Sequence, residues 1–344
     1  MPDDLATVRR LRSEVDALPP EVIDATLARV RQRLDAPVEP PRAPAPRRRL
    51  RPVVLGIASA AAAAALVATG LGLTHLTSPE SAAAATLHDA ARASMSSAEP
   101  ANAFTKVTTR ERALGYATSD GEHYDEAYVA DDVSITWVPR SISRTWTRVS
   151  WSEPASTFYG GAAAHDAARR DYATEAHRDT PNHERAAGGD FTNGELGGTP
   201  AGTLTPADIP GLPRDPGALV RRIEAAPKSV GDTDTEHVFD TVAEMLRTGL
   251  VPADLRVGMY DALATLPGIT VTERQASLDG RTGTAIGLAD PSGSEQRQVI
   301  IDRSSGDYLG ERMLQLERNG SIPAGTVMDS VSVVSMQVST ADDR

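Results

Sequence analysis

The chain has 344 residues and no cysteine. That absence removes disulfide scaffolds, thiolate zinc sites, cysteine nucleophiles and a lipidated-cysteine anchor together. Aromatic residues are scarce, with four Phe, three Trp and seven Tyr. The common catalytic signatures are missing as well. There is no GxxxxGK[ST] phosphate loop, no GxGxxG after a strand, no HExxH and no GxSxG elbow. Without an elbow, the Ser, His and Asp residues give no basis for choosing a triad. The sequence therefore points to a protein that is not an enzyme and implies no cofactor.

A second absence organises the chain. From Pro52 to Glu80 the first charged side chain is Glu80 itself, and Pro52–Leu73 is an unbroken run of 22 apolar or small residues. At about 1.5 Å per helical residue such a run spans a hydrocarbon core of roughly 30 Å. Residues 52–74 are thus expected to form a single transmembrane helix, placing the lipid bilayer first among the partners. Arg47, Arg48, Arg49 and Arg51 flank it on the N-terminal side. The positive-inside bias then puts the N-terminus in the cytoplasm and the larger part outside. A cleaved signal peptide, using the Ala82–Ala85 run, and a buried soluble helix are the rival readings. The long basic leader and the change of charge sign favour a retained anchor. Residues 1–51 carry a net +3 and the remainder a net −15, within a total of −12.

The span and the tail offer surfaces for partners. Gly56, Ala60, Ala64, Ala68 and Gly72 recur every four residues, a stripe that permits a homodimer through the membrane helix. Residues 1–36 show two amphipathic helical patterns, Leu5, Val8, Leu11, Val15 and then Ile23, Leu27, Val30, Leu34. So short a segment cannot bury much core alone, so these faces are candidate partner-binding residues. A Pro- and Arg-rich linker follows over 37–51. Direct nucleic-acid binding is not expected, because no aromatics interleave with the arginines and the rest is acidic.

Residues 83–339 read as one exported α+β domain. A helix is expected over 82–97, then strands over 103–112, 124–138 and 142–152. Residues 160–210 read as a flexible insertion holding a short helix in its AAAHDAARRDYATEAH run. Three punctuated helices follow: 216–226 behind Asp215-Pro216, a second behind Thr233 and Glu236, and a third behind Pro252. Strands then fill 269–338, with a hairpin turn at Asp279-Gly280 and another over Ser304–Gly306. This order of elements indicates one antiparallel sheet with helices packed on it.

The C-terminal half resembles an actinobacterial family of single-pass membrane proteins of uncharacterised function, often encoded beside extracytoplasmic-function sigma factors. The matching residues are Asp215, Pro216 and Leu219; Gly249 to Arg256; Leu266 to Ile269; Asp279 to Gly283; and Ile300 to Glu311. The resemblance implies a lipoprotein-carrier-like exported domain, a curved half-barrel sheet covered by helices. It also implies sigma-factor adjacency, and hence a sigma factor as a possible cytoplasmic partner. Any such anti-sigma role must be non-zinc, since residues 1–51 contain neither His nor Cys.

Three polar groupings carry side chains suited to chemistry. His165, His177 and His183 are spaced 12 and 6 apart, which puts no two on adjacent helical turns, so a solvated loop is expected rather than a metal site. Asp232 and Asp234 resemble the start of a calcium loop but lack its sixth-position glycine, and helix capping is expected instead. Arg144, Trp146 and Arg148 fall on one face of a predicted strand, suited to an anion or glycan, or else to cation–π stabilisation. The functional expectation is a non-enzymatic, membrane-anchored envelope regulator or sensor. The alternative is an exported carrier of a lipid or other hydrophobic ligand.

Overall fold

A computed structural model describes residues 78–96, 102–174, 181–191 and 203–341. The expected tail, linker and span, with Leu5, Val8, Leu11, Val15, Ile23, Leu27, Val30, Leu34, Arg47, Arg48, Arg49 and Arg51, lie outside the described residues. Among the described residues no helix is long and apolar enough to cross a membrane.

The described elements begin with helix α1 (Pro79–Ser96) and strands β1 (Phe104–Ala117), β2 (Glu126–Pro139), β3 (Thr145–Glu153) and β4 (Phe158–Tyr159). Helix α2 (Ala162–Thr174) and β5 (Asn182–Ala187) follow. Then come a 3-10 turn (Pro206–Gly211), α3 (Pro216–Glu224), α4 (Asp234–Arg247) and α5 (Ala253–Ala264). Strands β6 (Thr270–Leu278), β7 (Arg281–Ala289), β8 (Glu295–Asp302), β9 (Asp307–Gln315) and β10 (Thr326–Val338) complete them. The fold is α+β: one large open antiparallel sheet in the order β5-β3-β2-β1-β10-β9-β8-β7-β6, with β4 paired to β2.

Local signals explain the elements. Asp215 accepts from the Ala218 N–H at 2.8 Å with Pro216 in the first turn of α3. Thr233 and Glu236 form a reciprocal capping box on α4. Asp279 (φ +48°) and Gly280 (φ +77°) make the two-residue turn between β6 and β7, both in the left-handed region such hairpins demand.

Helices α1, α3, α4 and α5 cover the sheet face that carries Val107, Ile286, Val299, Ile301, Val331 and Val333, and the space between is filled. Tyr260, Phe239, Leu255, Met259 and Leu263 are all at most 1% exposed there. Tyr260 donates its hydroxyl to the Gly306 carbonyl at 3.0 Å, pinning α5 to the β8–β9 turn. The tip of the β6–β7 hairpin folds over the opposite face. Asp279 accepts from Ser332 on β10 at 3.1 Å and meets Arg112 on β1 at 3.4 Å. Beneath it Ala276, Leu278, Ala285, Ile300 and Leu309 form a second small core.

Within 160–210 the expected short helix is α2, whose Ala164, Ala167 and Ala168 pack against Tyr128, whereas the edge strand β5, paired with β3 from Thr145↔Ala187 to Ser150↔Asn182, was not expected there. The strand was illegible because Asn-His-Glu-Arg-Ala-Ala has little β propensity; its pairing rests on cross-strand contacts instead. The strand expected over 142–152 also begins later, at Thr145. Arg144 belongs to a turn closed by its own N–H to the Ser141 carbonyl at 2.9 Å.

Candidate functional site

At one end of β1, β2 and β3 lies a recess of about 780 Å³. Phe104 and Pro139 give it apolar wall, Ser141, Thr145 and Thr147 give hydroxyls, and Arg140, Arg144 and Arg185 give charge. Backbone pairing assembles it. Arg140 follows the last residue of β2 and donates its N–H to the Ala103 carbonyl at 3.0 Å, beside the start of β1. The carbonyl of Arg144 accepts from Gly188 at 2.9 Å, tying the turn to the end of β5. Register places Arg185 directly opposite Thr147. The Trp146 indole N–H donates to the Ile142 carbonyl at 2.7 Å and fixes the turn from below.

The three guanidinium groups meet no carboxylate among the described residues. Their neighbours on the same sheet behave differently. Arg110 bridges Asp131 and Glu153 at 2.7 Å each, and Arg112 reaches Asp131 at 3.0 Å. Burial works against the Asp131 charge, but hydrogen bonds from Arg110 and Arg112 outweigh it and hold its carboxyl below the usual range.

Arg144, Trp146 and Arg148 therefore do not form one binding face. Arg144 lines the recess from its turn, whereas Trp146, which is buried, and Arg148 share the face of β3 turned away from it. Arg148 meets Glu184 at 2.6 Å and lies 4.1 Å above the Phe191 ring, which also contacts Trp146 edge-on at 6.5 Å. This is the cation–π alternative, with Phe191 as its ring. The histidines are not brought together either. His165 stacks on Phe158 at 3.8 Å, His183 is in β5, and His177 lies outside the described residues. No group of three or more His, Asp and Glu suited to a metal occurs among the described residues. Of the two aspartates, Asp234 opens α4 and pairs with Lys228 at 2.8 Å, while the cap itself is Thr233.

A second polar cluster lies between α4 and the sheet. Arg297 on β8 reaches Glu236 at 2.8 Å and Asp240 at 3.3 Å, and Arg247 reaches Glu311 at 3.4 Å. Burial pushes the Asp240 carboxyl up to about 7; Arg297 opposes this, while Asp232, Glu244 and Glu311 add to it. Burial also raises Glu311 against the pull of Arg247 and of the Tyr308 hydroxyl, which donates to it at 2.8 Å. Glu111 and Asp329 are raised by burial in the same region. Acids outnumber cations here, and burial without a cation for each carboxylate is what raises them.

Neither cluster was visible in the sequence. Arg140 and Arg185 come together only through the β2–β3 and β3–β5 pairings, and Asp240 meets Glu311 only because α4 crosses β9. Comparison of the chain with family models, with curated proteins and with solved structures finds no match.

Proposed function

We propose that the protein is a membrane-anchored envelope regulator or sensor, without enzymatic activity, held by a span over 52–74. Its N-terminus faces the cytoplasm and its α+β domain the exterior. In this reading the sheet is a half-barrel, supported by the way Asp279 rolls back to Ser332 and Arg112. The cytoplasmic helices bearing Leu5, Leu11, Leu27 and Leu34 hold a partner, proposed as a sigma factor on the strength of the family resemblance. The membrane helix offers a dimer contact.

The observation that carries this choice over a carrier is the packed space between helices and sheet. A carrier of hydrophobic ligands needs an apolar cavity of some hundreds of Å³. Here that volume is occupied by Phe239, Tyr260, Met259, Ile286 and Val299, each at most 1% exposed. What the domain can engage is then at its surface.

The test is capture by the tagged full chain in detergent, beside a variant carrying Leu11→Asp and Leu27→Asp. A sigma factor retained by the native chain and lost from the variant is the expected result. No sigma factor retained by the native chain defeats the partner assignment.

A further inference from the structure

We propose that the recess lined by Arg140, Arg144 and Arg185 binds a phosphate ester whose organic part is about the size of a sugar or glycerol unit. The inference names a ligand class for the exported domain and so rests on reading that domain as the sensing part. Tail capture and anion binding can fail separately, so the two ideas remain distinguishable.

The argument starts from charge. Residues 52–344 carry a net −15, yet among the described residues three arginines around one recess have no carboxylate against them. Elsewhere on the sheet Arg110, Arg112, Arg148, Arg297 and Arg312 are each paired. Three cations line one recess, and an anion entering it meets all of them.

Shape and chemistry then narrow the anion. Guanidinium groups present planar forks of donors that match phosphate oxygens two at a time. Ser141, Thr145 and Thr147 add hydroxyls on the same wall. A recess of about 780 Å³ is far larger than a bare phosphate requires. Phe104 and Pro139 offer apolar contact that inorganic phosphate cannot use, whereas the carbon skeleton of an ester can. The backbone around the recess is also fixed. The Trp146 indole braces the turn, and Gly189 (φ +79°) packs so close to the Trp146 ring that any side chain there would overlap it. The arginines thus project from a scaffold set before the ligand arrives.

The same phosphate ester can come from a free solute or from a lipid headgroup. The experiment uses the full chain in zwitterionic detergent or in phosphatidylcholine vesicles. Glycerol 3-phosphate is titrated by calorimetry, and binding to vesicles with and without phosphatidylglycerol is measured by co-flotation. Saturable binding to either probe, weakened about tenfold or more by Arg144→Gln with Arg185→Gln, is the expected result. Arg221→Gln, an exposed arginine of α3, should leave it unchanged. Binding to the soluble ester assigns a solute, and binding only to phosphatidylglycerol assigns a headgroup. Failure to bind either, or equal loss in the Arg221 variant, overturns the proposal. Arg140→Gln alone serves as a second variant, and circular dichroism verifies that each keeps the native fold. All four arginines are exposed, so none of these changes removes core packing.

Discussion

Asp240→Asn should make the protein more stable above neutral pH, although it removes one side of an ion pair. Burial carries this carboxyl from 3.8 to about 7. The folded state therefore keeps a proton that the unfolded state has already released between roughly pH 4 and pH 7. In that window stability must fall as pH rises, and above about pH 7 the loss attributable to this group levels off. For a fully shielded group the difference would approach 4 kcal/mol, at about 1.36 kcal/mol per pH unit. The Asp240 side chain is 33% exposed, so water screens part of this and about 1–2 kcal/mol is the expected remainder. Asparagine keeps the shape and removes the charge, while Arg297 retains Glu236 at 2.8 Å. Urea unfolding of the full chain in detergent, followed by tryptophan fluorescence at pH 5, 6, 7 and 8, measures the effect. At pH 5 the variant's advantage should be only about a third of its full size, vanishing below about pH 4, and by pH 8 it should reach its plateau, with the variant unfolding at higher urea. A variant less stable than the native chain at pH 8, or a gap independent of pH, would refute the reasoning. The first would mean that the Arg297 pair outweighs the burial of the charge, and the second that the gap does not come from titration of Asp240.

Two further changes probe the packing. Thr233→Ala takes away the hydroxyl that accepts from the Glu236 N–H and donates to its carboxylate, while the Thr233 backbone N–H keeps its bond to that carboxylate, so a loss of about 1 kcal/mol in urea unfolding is expected. Gly306→Ala places a methyl group against the Ala90 carbonyl and Ser94 at a residue with φ +74°, and should lower the thermal midpoint by an amount corresponding to about 2–5 kcal/mol. A Gly306→Ala protein as stable as the native chain would show that α1 does not sit against this turn.

Elements announced by local chemistry were legible in the sequence. Asp215-Pro216, the Thr233–Glu236 box and Asp279-Gly280 each act within a few residues, so they mark two helix starts and a hairpin without reference to the rest of the chain. What escaped depends on distant partners. Strand β5 is held by β3 and by Glu184 meeting Arg148, and nothing in its own composition marks it as extended. Arg144 sits on a turn because Trp146 holds the Ile142 carbonyl, a bond no periodicity reveals. The arginine recess and the acid cluster under α4 are products of the same long-range pairing. Their residues are ordinary until the sheet order brings them into one place.

That sheet order also dictates when the domain can be completed during its synthesis. Strand β10 lies between β1 and β9, joining the strands that precede the helices to those that follow them, with Phe104 opposite Val338. Helix α1, an early element, finds its seat against α5 and the Gly306 turn more than 160 residues later. Apolar side chains such as Leu87 and Val107 must therefore wait unburied while most of the domain is delivered. Folding of this kind is governed by slow, non-local contacts and leaves incomplete chains exposed to aggregation. A chain ending before β10 would lose the seam between its two halves rather than a dispensable edge.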